Sequence, residues 1–219
     1  SAFAFGEVSK NEIMQMEKSL KTVALLAREP GLLVLKDALL NNPLVDLMAV
    51  YTHGLLPKKE GLLPRSELSH YKQICQSAGV PLHVLDYPHA KFLAKYLPVD
   101  SFDLLVVLSW RYILSKEVLA RPKVAAINFH RGSLPSYKGA EPVKQAINAG
   151  EQQIAITAHH ITEHLDEGSV ITTKVMKLHR SFKEGDIDAY IEEVKRDLYP
   201  LYSPLVKESL QNVASLLRK

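Results

Sequence analysis

Thr22-Val23-Ala24-Leu25-Leu26-Ala27 is the stretch on which the fold turns. A run of apolar side chains without polar alternation describes a strand covered on both faces, the habit of parallel sheets. Outward from it, residues 28–31 (Arg-Glu-Pro-Gly) read as a turn and 32–40 as a helix ended by Asn41-Asn42-Pro43. Residues 45–52 form a second strand. The stretch 53–65, broken by glycine and proline and carrying Lys58, Lys59 and Arg65, reads as a long loop. Ser66 then caps a helix to Ala78, which Gly79 stops.

Further strands follow at 82–85, 104–108 and 124–128, separated by short helices near 90–96 and 115–119. Strands alternating with helices at this spacing imply right-handed βαβ units. The expected fold class is α/β, a doubly wound, mostly parallel sheet with helices on both faces. The C-terminal third changes character: 153–161 and 170–178 are strands of mixed polarity, joined by an acidic turn. From Asp186 onward a helix is expected, interrupted at Tyr199-Pro200 and Ser203-Pro204. Residues 1–20 read as a lead-in, with Ser9 capping a short helix that carries Ile13, Met16 and Leu20. Residues 21–219 read as one catalytic domain.

Composition narrows the class. The chain of 219 residues is 47% hydrophobic and 23% charged, enough to bury a full core and too apolar for wholesale disorder. With 27 basic against 24 acidic residues the net charge is +3, too mild to imply a nucleic-acid or membrane partner by itself. The lone Cys75 excludes an internal disulfide framework, and no apolar run is long enough for a membrane span. A cytoplasmic location is the expectation.

The chemistry concentrates at the end of the fifth strand, Ile127-Asn128-Phe129-His130. Alternation puts Asn128 and His130 on the same side, and open parallel sheets bind ligands outside the carboxyl ends of their strands. A loop follows, Arg131-Gly132-Ser133-Leu134-Pro135-Ser136-Tyr137-Lys138-Gly139, and then a helix with Pro142 in its first turn. From the residues alone, a structural histidine and a catalyst both remain open. Asp166, in Leu165-Asp166-Glu167-Gly168, is the next carboxylate able to reach His130, and it would favour and orient an imidazolium. An amide donor and a protonated imidazole together stabilise an oxyanion, which suits acyl transfer without a covalent enzyme intermediate.

Asn128-Phe129-His130, Ser133 to Gly139 and Leu165 to Gly168 resemble the signature of the 10-formyltetrahydrofolate-dependent formyltransferases. That family contains glycinamide ribonucleotide formyltransferase, methionyl-tRNA formyltransferase, sugar N-formyltransferases and formyltetrahydrofolate hydrolase. The resemblance implies a Rossmann-like sheet, 10-formyltetrahydrofolate as formyl donor and no metal. It implies that Asn128 and His130 stabilise the oxyanion while Asp166 holds His130 charged and relays a proton. It places Trp110, Arg111, Tyr112, Ile113 and Leu114 on one wall of the folate pocket and Thr162 and Leu165 on the other. Trp110 also reads as plain core filler. Arg28, Gly31, Ser133, Thr157 and Glu167 fall on the acceptor side, although Thr157 reads equally well as an ordinary strand residue. His159, His160 and His164 are expected in structural or solvent-exposed roles.

The acceptor is less defined. Glycinamide ribonucleotide enzymes have a Gly- and Ser-rich phosphate loop after the first strand. Here Ala27-Arg28-Glu29-Pro30-Gly31-Leu32 offers one glycine, with charge from Arg28. The compact length and Tyr199-Pro200-Leu201-Tyr202 nevertheless look like that branch. The tRNA enzyme normally carries an additional C-terminal β-barrel, so no nucleic acid is expected. A small-molecule amine and the folate are the expected partners, with a homodimer left open. The stretch from Thr157 to Gly168 resembles the hydrolase version, so water as acceptor is an alternative, and a silent folate-binding module is another.

Overall fold

The computed structural model of the chain describes residues 19–164, 166–179 and 185–217. The lead-in helix expected around Ile13 and Met16, capped by Ser9, lies outside them. The apolar run becomes β1 (Leu20–Leu26), followed by α1 (Arg28–Val34), which continues through a π-helical turn, Leu35–Leu39. Then come β2 (Val45–Thr52), α2 (Leu68–Ala78), β3 (Leu82–Val84) and β4 (Phe102–Leu108). The chain continues with α3 (Lys116–Leu119), β5 (Pro122–His130), α4 (Pro142–Asn148), β6 (Gln153–His160) and β7 (Val170–Lys177). Two helices close it, α5 (Ile187–Asp197) and α6 (Tyr199–Leu216).

The strands form a seven-stranded sheet of order β3-β2-β1-β4-β5-β6-β7. Pairs from β3 to β5 are parallel, and β5-β6 and β6-β7 are antiparallel. This is the doubly wound, mostly parallel sheet expected. Alternate residues of the apolar strands feed two cores. Ala24, Leu26, Val106 and Ile127 pack against helices that include α6, through Leu205, Val206 and Leu210. Val23, Leu25, Leu105 and Val107 pack beneath Leu93, Leu97 and Val118 on the other face. The strand order reverses between β1 and β4, so the crevice that such sheets offer to ligands opens beyond Leu26 and Leu108.

Local chemistry explains where the elements depart from expectation. Residues 28–31 are the first turn of α1 rather than a separate turn. Arg28 makes the reversal alone at φ 63°, and Pro30 sits where a helix needs no N–H. Ser66 does not cap α2; the residue before the helix is Glu67, and no side chain accepts from its first turn. The C-terminal break comes at Leu198, while Pro204 is accommodated inside α6, where burial of Tyr202, Leu205 and Val206 outweighs one lost backbone bond. The 53–65 loop carries a 3-10 turn at Lys58–Glu60 and an isolated bridge between Leu55 and Pro64.

His53, just past β2, is 1% exposed. Burial, the largest influence, lowers its pKa from 6.5 to about 4, with Arg111 and Arg65 adding to the fall and the Leu85 carbonyl and Asp86 opposing it. Protons therefore bind the unfolded chain before they bind His53 in the folded one. Its contribution to stability is complete above pH 6.5 and is lost progressively down to pH 4, by about 3 kcal/mol in all. Urea unfolding at pH 7 and pH 4.5 tests this. Wild type should lose more stability over that interval than His53→Gln, and equal losses would show that the ring does not titrate in this way.

Candidate active site

Two hollows meet at the carboxyl ends of β1, β4 and β5. The larger, about 810 Å³, is walled by Arg28, Lys59, Arg65, Arg111, His130, Arg131, Glu141, Glu192 and Lys195 among others. The smaller, about 140 Å³, is walled by Trp110, Tyr112, Ile113, Leu114, Ile161, Thr162, His164 and Asp166. Trp110 and Asn128 line both, so the boundary between the hollows runs past the Asn128 amide.

Register brings the polar groups together. Across the antiparallel β5-β6 pair, Asn128 faces His159 and His130 faces Thr157. Asn128 Nδ2 lies 3.2 Å from His159 Nε2. Asp166 sits between two imidazoles, with Oδ2 3.5 Å from His130 Nδ1 and Oδ1 3.4 Å from His159 Nε2. The Gly139 N–H donates to the same carboxylate at 2.9 Å, tying the 131–139 loop to the β6-β7 turn. Asp166 is held at φ 53°, a left-handed conformation that aspartate tolerates better than most residues. Two residues on, a Cβ at Gly168 would lie 1.6 Å from the His160 carbonyl oxygen, so only glycine lets the turn pass this close to β6.

The hydrogen-bond partners set the protonation logic. His130 Nε2 lies 2.5 Å from the Tyr137 carbonyl, which can only accept, so Nε2 donates and Nδ1 faces the Asp166 carboxylate. His159 repeats the pattern. Its Nδ1 donates to the His160 carbonyl at 3.0 Å, leaving Nε2 between the Asn128 amide and Asp166. Burial works against charge on Asp166, but the His159 imidazole, the Gly139 N–H and His130 outweigh it and hold the carboxyl below the ordinary range. Burial dominates at His130 and lowers its pKa despite the Tyr137 carbonyl and Asp166. The direction runs against the standing imidazolium that the resemblance implies. Low dielectric outweighs one neighbouring carboxylate.

Of the residues expected on the donor side, Trp110, Tyr112, Ile113, Leu114 and Thr162 line the smaller hollow, and Arg111 turns its side chain to the larger one. Leu165 lies outside the described residues. The apolar walls, and the buried Trp110 Nε1 that has no partner among the described residues, fit a flat heteroaromatic ring with acceptor atoms. On the acceptor side only Arg28 lines the cleft. Gly31 is buried in α1, where a Cβ would meet Tyr71 Oη at 2.4 Å, so it serves close packing. Thr157 is buried and donates to the Gly132 carbonyl at 2.7 Å. Ser133 accepts the Tyr137 N–H through its carbonyl, and Glu167 pairs with Lys138 at the surface, so neither lines a hollow. His159, expected in a structural or solvent-exposed role, is buried within the cluster. The signal was the period of two along β6, which places His159 and Thr157 on the face that Asn128 and His130 share.

Residues 89–202 match the model of a family described as formyl transferase. The chain belongs to the formyl transferase family. Among curated relatives of this chain, methionyl-tRNA formyltransferase from Protochlamydia amoebophila is 29% identical over 152 residues, covering 69% of this chain and 47% of that protein. The enzyme of the same name from Magnetococcus marinus is 30% identical, with 69% and 47% covered. The chain thus spans about half the length of the curated relatives it matches. Among solved structures, glycinamide ribonucleotide transformylase 1 from Symbiobacterium toebii superposes with a TM-score of 0.68 at 19% identity, covering 90% of this chain and 88% of that one. A formyltetrahydrofolate deformylase from Pseudomonas syringae gives 0.66 at 20% identity, with 88% and 60% covered. These likenesses carry the fold. The exclusion of nucleic acid drawn from the sequence does not follow, because the matched relatives are named for a tRNA substrate. Among the described residues no helix is long and apolar enough to cross a membrane, and no three His, Cys, Asp or Glu side chains group as metal ligands.

Proposed function

We propose that the chain transfers a formyl group from 10-formyltetrahydrofolate to a primary amine on a phosphate-bearing acceptor. The observation that carries this reading is that Asn128, His130 and Asp166 converge where the two hollows join. The smaller, apolar hollow takes the folate, and the larger, cationic one takes the acceptor. In the larger one Arg28, Lys59 and Arg131 form no ion pair among the described residues, whereas Lys195 is neutralised by Glu141 and Glu192. Unpaired cations of this density suit a phosphoryl group, whether on a small ester or in a nucleic acid.

When bound, the donor supplies an activated formyl carbon. Asn128 has two amide hydrogens, and the one not directed at His159 is available to the formyl oxygen as negative charge develops there. The proton shed by the amine enters this cluster, Asp166 stabilises the imidazolium that results, and the proton passes to the folate nitrogen as its bond to the formyl carbon breaks. Asp166 is thereby of greater help in the transition state than at rest, which is the condition for accelerating the step.

The test supplies purified protein with 10-formyltetrahydrofolate and, in separate reactions, glycinamide ribonucleotide, an amino-sugar nucleotide, methionyl-tRNA or no amine. Tetrahydrofolate should form only with one of the amines. Equal formation without amine would replace this reading by hydrolysis, and binding without turnover would replace it by a silent folate module.

A further inference from the structure

His53 stands outside the catalytic cluster, and no step above uses it. It is nonetheless wired into the donor wall at each edge of its ring. Nδ1 lies 2.7 Å from the Leu85 carbonyl, which can only accept, so Nδ1 carries the hydrogen and Nε2 carries the lone pair. That lone pair accepts the Arg111 backbone N–H at 3.3 Å. The ring face stacks on Trp110 with centroids 4.1 Å apart at 27°, and Tyr112 meets it edge-on at 5.7 Å. Three consecutive residues of the donor wall thus rest on one imidazole.

The platform is itself braced. Asp86 accepts the N–H groups of Gly54 and Leu55, both at 3.1 Å, and the Leu55 carbonyl takes Arg65 Nε at 3.1 Å and an Arg111 guanidinium N–H at 2.8 Å. The charged groups that face the ring are therefore Arg111 of the donor wall, Arg65 of the 53–65 loop and Asp86 after β3. Ile113 is 84% exposed, while Trp110, Tyr112 and Leu114 pack on the core of that face, so the wall is held by burial on alternate residues and by the Arg111 N–H between them.

We infer that His53 is a positioning residue that sets the geometry of the 109–114 wall, and through it the affinity for the folate donor, by accepting the Arg111 N–H while supporting Trp110. The inference rests on reading the smaller hollow as the donor's. It predicts an effect on donor binding and on the donor's KM, with kcat at saturating donor largely kept. The imidazole tautomer is the working element, because only a ring donating at Nδ1 offers Nε2 as an acceptor. Burial keeps that ring neutral at neutral pH.

Three variants separate this role from mere support of the fold. His53→Gln puts an acceptor close to the position of Nε2 but gives up the stack. His53→Asn retains only a donor toward Leu85, and His53→Phe retains only the stack. Tetrahydrofolate is the probe, titrated by calorimetry and by the emission of Trp110, the single tryptophan. Dissociation constants should rise about tenfold in His53→Asn and His53→Phe and stay within roughly threefold of wild type in His53→Gln. Should His53→Asn or His53→Phe fail to fold, the contrast between His53→Gln and the other decides, and should His53→Gln fail, a tenfold loss in His53→Phe with its melting temperature near that of wild type decides. Equal weakening of all three, in step with their melting temperatures, would make His53 a structural residue and overturn the inference, as would unchanged affinity in all three. Wild type that does not bind tetrahydrofolate would instead overturn the donor-pocket reading itself.

Discussion

Asp166→Asn should lower turnover by on the order of a hundredfold or more while folate binding stays within roughly threefold of wild type. The substitution keeps size and shape, and it keeps an acceptor for the Gly139 N–H. What it removes is the negative charge between His130 Nδ1 and His159 Nε2, at 3.5 and 3.4 Å. Burial already makes His130 reluctant to take a proton, so its imidazolium depends on that charge at the moment it forms. An amide in its place would also turn a donor toward a nitrogen that must become a donor. The loss is therefore larger in the transition state than in the resting protein, and kcat falls more than affinity. In the free protein the Asp166 carboxyl is held below its ordinary range, so its ionisation puts no limb on the activity profile near neutral pH. Rapid-quench measurement of tetrahydrofolate with the productive amine decides the matter, and a wild-type rate would remove Asp166 from the chemistry.

How much of this was legible beforehand depends on whether a residue acts through its neighbours in sequence or across the sheet. The apolar run 22–27 and the β5 terminus gave the strand placement and the Asn128-His130 pair, because burial on both faces and alternation are local patterns. Asp166 was reachable because Gly168 marks a close passage that little else explains. His159 was hidden by its crowd: with His160 and His164 nearby it read as one of a polar series, and only the β5-β6 register separates the buried ring from its neighbours. His53 left no sequence signal, since its four partners lie between 32 and 59 residues away. The desolvation of His130 leaves no local pattern for a related reason. A carboxylate can be guessed from a motif, but the desolvation that opposes it is a property of the packed site. Thr157 and Gly31 show the converse, with small residues near the site serving the backbone contacts that hold it.

Replacing Gly168 by alanine should be the most damaging single-carbon change in the site. A Cβ there would stand 1.6 Å from the His160 carbonyl oxygen and 2.6 Å from its carbon, both backbone atoms that no rotamer change can move aside. The neighbouring His160 N–H to Ser169 carbonyl bond, 3.0 Å, fixes the same pair of segments, so relief must come from shifting the turn away from β6. That turn carries Asp166. A displacement of about 1 Å is enough to cost on the order of a hundredfold in rate, and the strain adds several kcal/mol of instability. Gly79→Ala provides the contrast. Gly79 sits at φ 67° with nothing within 4 Å of a Cβ, so alanine there should cost about 1 kcal/mol of stability through backbone conformation alone and leave turnover untouched. Melting temperature and turnover measured on both variants separate the two effects. The Gly79 variant should lose some stability and no activity, and the Gly168 variant should lose at least a hundredfold in turnover even well below its melting temperature. A Gly168→Ala protein that turns over like wild type would mean that the β6-β7 turn can yield without carrying the carboxylate with it, and the two imidazoles would then have to find their counter-charge elsewhere.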